Sequence, residues 1–441
     1  MTNLMEKFAS WLEEHFLPIA SAIGNQRHLV ALRDGFIATM PVSMSGALVV
    51  MFKEVIFTSE SLFGTMLNKL SFYAENIQPV LDRTLVPVLE QMWWGTLALG
   101  IIFSVFTIAY KLAEHYKQDA LSAGVLAVVS YLILLPQAVE GGEWGTISWT
   151  SFNSEAIFTG LIVAMISTEI FNWVVNKGWT IKMPDKVPPA VSKAFSAMIP
   201  AFFVLTFFGI VSVCFQEGLG IPMQQFINNA IQVPLTKLGQ SPFTFILLVF
   251  IAQILWFFGL HGITIIGPVL DTMYSPALAA NAEAIMIKGV APTNAITRNM
   301  LDLYGMHGGS GATLALIIAI FLVSKRTEYK SLAKMSLMPG VFQINEPIIY
   351  GLPIVLNPIL AIPFIIIPPI TVFIGWLFTA VIPFAGFVYI DPPWVVPPVL
   401  NAFLATGGDI KAAILAFATL VIAILIYMPF IMIANKMEDS I

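Results

Sequence analysis

Of the 441 residues, 58% are hydrophobic and 11% charged, whereas a soluble domain carries roughly 25% charged residues. With a mean hydropathy of +0.85 and repeated uncharged stretches long enough for helices across a ~30 Å hydrocarbon core, the chain reads as an all-α polytopic membrane protein, neither a soluble globule nor a membrane β-barrel. A formal net charge of -5, from 21 basic and 26 acidic residues, provides no basic patch for nucleic acid, and one cysteine, Cys214, permits neither an internal disulfide nor a multi-cysteine metal site.

At the amino terminus, Glu6, Lys7, Glu13 and Glu14 interrupt any signal-peptide core, so this segment is expected to be retained. Leu4, Phe8, Trp11, Leu12 and Ile19 share one helical face opposite those charges, the pattern of a short helix lying in the membrane interface. Uncharged or nearly uncharged runs at 35–52, 92–110, 120–136, 156–175, 194–215 and 242–260 predict six spans. The pattern then degrades. Residues 271–307 are moderately apolar, 312–323 are few, 347–390 form a charge-free stretch of 44 residues broken by prolines, and 412–434 make a final run. As one helix the 44-residue stretch would measure about 66 Å, twice the hydrocarbon thickness, so it must fold back at least once. Roughly eight to ten crossings result.

Lys7, Arg27 and Arg33 precede the first run, Lys111 and Lys117 follow the second, and Lys177, Lys182, Lys186 and Lys193 follow the fourth, whereas 137–152 carries neither Lys nor Arg. The positive-inside rule therefore places the amino terminus in the cytoplasm. Simple alternation then puts Lys325, Arg326, Lys330 and Lys334 on the wrong side. Either a segment between 261 and 323 does not cross, or an extra crossing hides in 271–307. Transporters place broken or re-entrant segments around the substrate site, so the conflict directs attention to the second half. Residues 1–217 read as an amphipathic helix plus a regular scaffold, and 218–441, with its Gly, Pro, His and Glu, as the working part.

Four segments carry residues suited to chemistry. His261 ends an apolar span between Gly259 and Gly262, where a histidine is costly and glycines let a ligand or backbone approach closely. Its alternative is a ring satisfied by a neighbouring helix. Glu346 heads the charge-free stretch in Gln343-Ile344-Asn345-Glu346-Pro347. Pro347 biases Glu346 away from helical geometry, as in the broken helices of transporter sites, and the alternative is a carboxylate capping a helix start. Gly305-Met306-His307-Gly308-Gly309-Ser310-Gly311-Ala312-Thr313 offers backbone N–H groups to an anion such as a phosphoryl group, or else close helix packing. Trp394, in Asp391-Pro392-Pro393-Trp394-Val395-Val396-Pro397-Pro398, suits the apolar face of a sugar ring or, like Trp93, Trp94 and Trp173, a membrane-interface belt. Glu169 is expected to pair with a neighbouring helix, and Cys214 to be structural.

At these residues the chain resembles the membrane-embedded component C of the bacterial sugar phosphotransferase system, in its lactose, cellobiose and N,N'-diacetylchitobiose family. The resemblance runs nearly end to end and is carried by Trp256-Phe257-Phe258-Gly259-Leu260-His261-Gly262, Gly308-Gly309-Ser310-Gly311-Ala312-Thr313-Leu314, Phe342-Gln343-Ile344-Asn345-Glu346-Pro347 and Tyr350-Gly351-Leu352-Pro353, with echoes at Lys182-Met183-Pro184-Asp185-Lys186-Val187-Pro188 and Pro393-Trp394. It implies a homodimer of about ten-span subunits in the bacterial cytoplasmic membrane, with two re-entrant hairpins. The amino-terminal half would dimerise and the carboxy-terminal half would bind sugar and move as an elevator. The resemblance further implies uptake of a β-linked disaccharide and its phosphorylation by a phosphocysteine on a separate component B, supplied through component A and the histidine phosphocarrier protein. No cofactor or metal is expected.

By position, the resemblance makes His261 a sugar-binding residue, Glu346 the essential acid and Trp394 the aromatic partner. Gly262, Asn294, His307, Gly308, Gln343 and Asn345 are further expected contacts. An acid beside a sugar 6-hydroxyl accepts its proton as the phosphoryl group arrives, and phosphoryl transfer otherwise needs alignment and charge stabilisation. The rival from another class is a proton-coupled sugar symporter in which Glu346 and His261 relay protons. An intramembrane hydrolase is disfavoured because paired metal ligands and a nucleophile motif are not evident.

Overall fold

The computed structural model describes residues 26–139, 141–184, 186–257, 261–352, 354 and 358–438, apart from the side chains of Met40, Met44, Ala47, Met51, Val55, Leu62, Phe257, Glu346, Pro358 and 436–438. The interfacial helix expected near residues 4–19 lies outside the described residues. In chain order the helices are α1 (Arg27–Met51), α2 (Leu62–Leu67), α3 (Gln78–Gly95), α4 (Gly100–His115), α5 (Ala120–Ile133), α6 (Ile157–Asn176), α7 (Pro189–Val213), α8 (Met223–Ile227) and α9 (Val233–Gly239). They continue with α10 (Pro242–Phe257), α11 (Gly262–Met286), α12 (Met300–Tyr304), α13 (Thr313–Val323), α14 (Thr327–Val341), α15 (Glu346–Gly351), α16 (Pro358–Trp376), α17 (Leu400–Ala405) and α18 (Ile410–Glu438).

Among the described residues seven helical stretches are long and apolar enough to cross a membrane, and up to eight if the bent pair Met223–Gly239 and Pro242–Trp256 counts as one span. The protein is thus an all-helical, multi-pass membrane protein. Each uncharged run before residue 260 falls on helix: α1, α3 with α4, α5, α6, α7 and α10. The 347–390 stretch is not one helix. It supplies α15 and α16, a wide π turn at Leu377–Val381, and an extended segment whose Tyr389 and Ile390 N–H groups both donate to the Ala405 carbonyl. Local chemistry sets several boundaries. Ser61 caps α2 by accepting from Gly64 N, and Pro189 opens α7, where its missing N–H costs nothing.

The helices form two compact units, one from residues 26–46 together with Trp93–Lys237, the other from Ala47–Met92 together with Leu238 onward. The division interleaves along the chain. In the first unit α4, α5, α6 and α7 enclose a core of Val105, Ile108, Leu112, Tyr131, Val163, Phe171, Val204 and Phe208. Small residues let these helices approach: a Cβ added at Gly160 would meet Ile101, and one at Gly124 would meet Phe106. Trp93, read above as a belt residue, is buried and packs on Trp149, with ring centroids 6.1 Å apart. It turns onto the inner face of its helix, while Trp94 and Trp173 point outward.

Glu169 does find partners on neighbouring elements. Its Oε1 lies 2.8 Å from His28 Nε2 and accepts from the Tyr116 hydroxyl, and the Arg27 guanidinium sits 5.1 Å from the Tyr116 ring centroid. Burial, then the bond to Glu169, pushes the Tyr116 phenol up to about 12, so it remains a donor. One carboxylate on α6 therefore joins the start of α1 and the end of α4. Glu169→Ala is expected to destabilise the protein by about 1–2 kcal/mol, the range of charge-assisted bonds in a half-exposed setting. Tyr116→Phe should cost less than half of that, as read by thermal melting in detergent.

Candidate functional site

The sequence-selected residues all lie in the second unit, and several of them meet at the turn before α13. From Gly308 to Ala312 the chain takes positive φ at Gly308 (85°), Gly309 (99°), Gly311 (73°) and Ala312 (54°), a path open mainly to glycine. The space is as restrictive as the torsions. A Cβ at Gly311 would lie 2.1 Å from the Phe364 ring, and one at Gly309 2.7 Å from Asn345 Cγ. The backbone groups of this hairpin are taken up one by one. Gly308 N and Gly309 N both donate to Gln343 Oε1 (2.6 and 3.0 Å). Asn345 Nδ2 donates to Ser310 O (3.0 Å), Thr313 Oγ1 to Gly308 O (2.6 Å) and the Tyr427 hydroxyl to Gly311 O (2.6 Å).

The two N–H groups that an anion would have used are therefore occupied by the Gln343 amide, and of the two readings of these glycines the structure realises close packing. His307 lies wholly buried beneath them, its Nε2 2.9 Å from Thr419 Oγ1 on α18. The same contacts shape the approach to Glu346. Gln343 sits at φ 67°, breaking the chain between α14 and α15. Asn345 spends its amide on Ser310 rather than on capping α15. The break expected at Glu346 falls at 342–345, and Glu346 itself opens α15, with Pro347 in the first turn where a proline is accepted. The side-chain placement of Glu346 lies outside the described residues.

His261 occupies the N-cap of α11 and is exposed. Its Nδ1 accepts from Thr264 N (3.2 Å) and lies 2.8 Å from Thr264 Oγ1, so the ring proton of the neutral imidazole resides on Nε2, a donor. The ring stacks obliquely on Trp256, with centroids 4.5 Å apart. Trp256 belongs to the buried cluster that holds Ala312 of the glycine hairpin and Ile348 and Ile349 of α15. His261 and the Glu346 segment thus share one core. Gly262 has a structural reason of its own: an added Cβ would stand 1.8 Å from the Ala252 carbonyl oxygen.

Asn294 is held elsewhere. Its backbone N and side-chain Nδ2 both bond to Asn281 Oδ1 (3.0 and 3.2 Å), and Asn281 Nδ2 donates to Asn294 O and Val388 O (both 2.8 Å). This ties the 287–299 stretch to the segment leading to Trp394, which is 50% exposed, as a stacking platform requires. Gln343 Nε2 lies 3.4 Å from Val396 O, joining the Trp394 loop to the glycine hairpin. A charged group that sequence reasoning missed lies beside this loop. Arg298 Nε meets Asp271 Oδ1 at 2.9 Å, its Nη1 meets Asp302 Oδ2 at 3.4 Å, and Asn299 Nδ2 donates to Asp391 Oδ1 at 2.5 Å. The available signal was four charges in otherwise apolar segments, since such groups persist in membranes only when paired. Among the described residues no cluster of His, Cys, Asp and Glu is placed to hold a metal ion.

Comparison with known proteins points one way. The model of the family described as "Phosphotransferase system, EIIC" matches residues 33–368. The "PTS system cellobiose-specific EIIC component" of Lactococcus lactis subsp. lactis (strain IL1403) is 32% identical, with 99% of each chain covered. The "PTS system lactose-specific EIICB component" of Staphylococcus haemolyticus (strain JCSC1435) is 26% identical over 98% of this chain, which spans 71% of that protein. The crystal structure of "the transporter ChbC, the IIC component from the N,N'-diacetylchitobiose-specific phosphotransferase system" superposes with a TM-score of 0.89 at 32% identity, covering 98% of both chains.

Gln343 is the residue on which the hairpin geometry turns. Gln343→Leu, which leaves the buried Gly308 N–H without an acceptor and the Gly309 N–H with the Met306 carbonyl alone, is expected to cost about 1–3 kcal/mol, read as a lowered melting temperature. Gln343→Glu, which keeps an acceptor there, should recover part of it.

Proposed function

Since the chain belongs to the EIIC family of the phosphotransferase system, we propose that it binds a β-linked disaccharide, cellobiose-like by preference, carries it inward and presents its 6-hydroxyl to the phosphocysteine of a separate component B. Support for the sugar class comes from the similarity to cellobiose-specific and N,N'-diacetylchitobiose-specific relatives. The observation that carries the reading is the place of His261, an exposed imidazole at the start of α11 whose ring stacks on Trp256, in the same buried cluster as Ile348 and Ile349 of α15. An exposed imidazole beside the Glu346 segment suits a sugar hydroxyl. Trp394 supplies a platform for the apolar ring face.

In the chemical step the sugar 6-oxygen attacks phosphorus while the S–P bond of the phosphocysteine breaks and the thiolate departs. Glu346 accepts the hydroxyl proton as the new O–P bond forms. Gln343 and Asn345 serve this step by holding the chain immediately ahead of Glu346. The wider reading is of about ten spans with two re-entrant hairpins, in a homodimer in the bacterial cytoplasmic membrane with the amino terminus inside. The amino-terminal half is the dimerising scaffold, the carboxy-terminal half the elevator, and component A and the histidine phosphocarrier protein lie upstream of component B.

Membrane vesicles holding the protein and supplied on the cytoplasmic side with phosphorylated component B should accumulate cellobiose 6-phosphate. Accumulation of free cellobiose with dissipation of the pH gradient would favour a proton symporter instead. Glu346→Gln should lower the rate of phosphate-ester formation by at least about a hundredfold, with cellobiose affinity changed by less than about threefold. Intact phosphorylation in that variant would remove Glu346 from the proton-accepting role.

A further inference from the structure

His307 is the one residue of the glycine hairpin that bears a titratable side chain, and the family reading offers it as a contact of sugar or phosphoryl group. Its surroundings point to another role. The ring has no exposed surface. Its Nε2 lies 2.9 Å from Thr419 Oγ1, and that hydroxyl already donates its only proton to the Ala416 carbonyl at 2.9 Å. With that proton on the Ala416 carbonyl Thr419 accepts and Nε2 donates, whereas the reverse arrangement would put the ring proton on Nδ1. Nδ1 is buried with no hydrogen-bond partner among the described residues, so a second proton there would have no acceptor. The ring is a neutral imidazole with one fixed tautomer.

The chain of contacts from this ring leads to Glu346. The His307 carbonyl accepts from Leu314 N at 3.0 Å, closing the hairpin. The next two N–H groups, of Gly308 and Gly309, are held by Gln343, and Ser310 O is held by Asn345, the residue before Glu346. We infer that His307 is a positioning residue: its Nε2–H bond to Thr419 seats the glycine hairpin against α18, and the hairpin in turn, through Gln343 and Asn345, sets where α15 and Glu346 begin. The inference rests on the proposed function for its catalytic consequence, but the seating itself is independent of it.

Three measurements on the full-length protein in lipid test this. With 15N-labelled histidine, one of the five histidines, identified by its loss in His307→Gln, should show the neutral Nε2–H tautomer and stay unmoved under saturating cellobiose. In the vesicle assay, His307→Phe and Thr419→Val should each reduce kcat for sugar-phosphate formation about tenfold and leave the cellobiose Kd within about twofold. The double variant should be no worse than the poorer single one, and His307→Gln, whose amide keeps a donor at that place, should recover most of the rate. Hydrogen exchange at the Gly308 and Gly309 amides should quicken in His307→Phe and in Thr419→Val. A cellobiose-induced shift of the His307 signal, a Kd that rises in step with the fall in kcat, or unchanged amide exchange would overturn the proposal. Should His307→Phe fail to fold, Thr419→Val carries the same comparison. A wild-type protein that makes no sugar phosphate would defeat the proposed function, while the tautomer and exchange measurements would still decide the seating.

Discussion

Inside a bilayer a backbone N–H without a partner has no water to turn to, and the second unit is built around meeting that requirement where its chain is least regular. The Gln343 side chain answers it. One amide oxygen takes two successive N–H groups of the glycine hairpin, while the amide nitrogen reaches the Trp394 loop. Remove that arrangement and three segments lose their mutual reference at once: the hairpin ahead of α13, the break ahead of α15, and the loop bearing Trp394. The left-handed torsion at Gln343, unfavourable for a residue with a Cβ, is the cost of aiming the side chain this way, offset by the bonds it makes.

The contrast between the two histidines follows from the same economy of donors and acceptors. At His261 the cap engages Nδ1 through Thr264, and the residue is exposed. At His307 Nε2 is spent on Thr419, and the ring is sealed from the surface. The first stands where a ligand can approach, and the second is enclosed by the protein. Residue type is the same signal for the two. Partners distinguish them.

Much of the fold was legible in the sequence because hydrophobic runs report directly on membrane helices, as the placement of α1, α5, α6, α7 and α10 illustrates. The prolines and length of 347–390 likewise announced that it is not one helix. The interleaving of the two units was not legible, since nothing in the composition of 47–92 says which neighbours it packs on. Within the site, Glu346 was located as an acid at a break, but the break itself falls one step earlier, because asparagine and glutamine side chains bonding across more than thirty residues (Gly308 to Gln343, Ser310 to Asn345) set it, and local propensity does not see them. The Arg298 cluster escaped for the same reason. Its members come from 271, 298, 302 and 391, and only the fold makes them neighbours.

The carboxy-terminal helix touches the glycine hairpin twice, through Thr419 with His307 and through Tyr427 with Gly311. Eight residues separate Thr419 from Tyr427, a little over two helical turns, or about 12 Å of axis. Two bonds so spaced resist tilting as well as sliding, as two bolts hold a bracket where a single one would let it swivel. Any displacement of the hairpin would be shared by α18, which is thereby mechanically one piece with it.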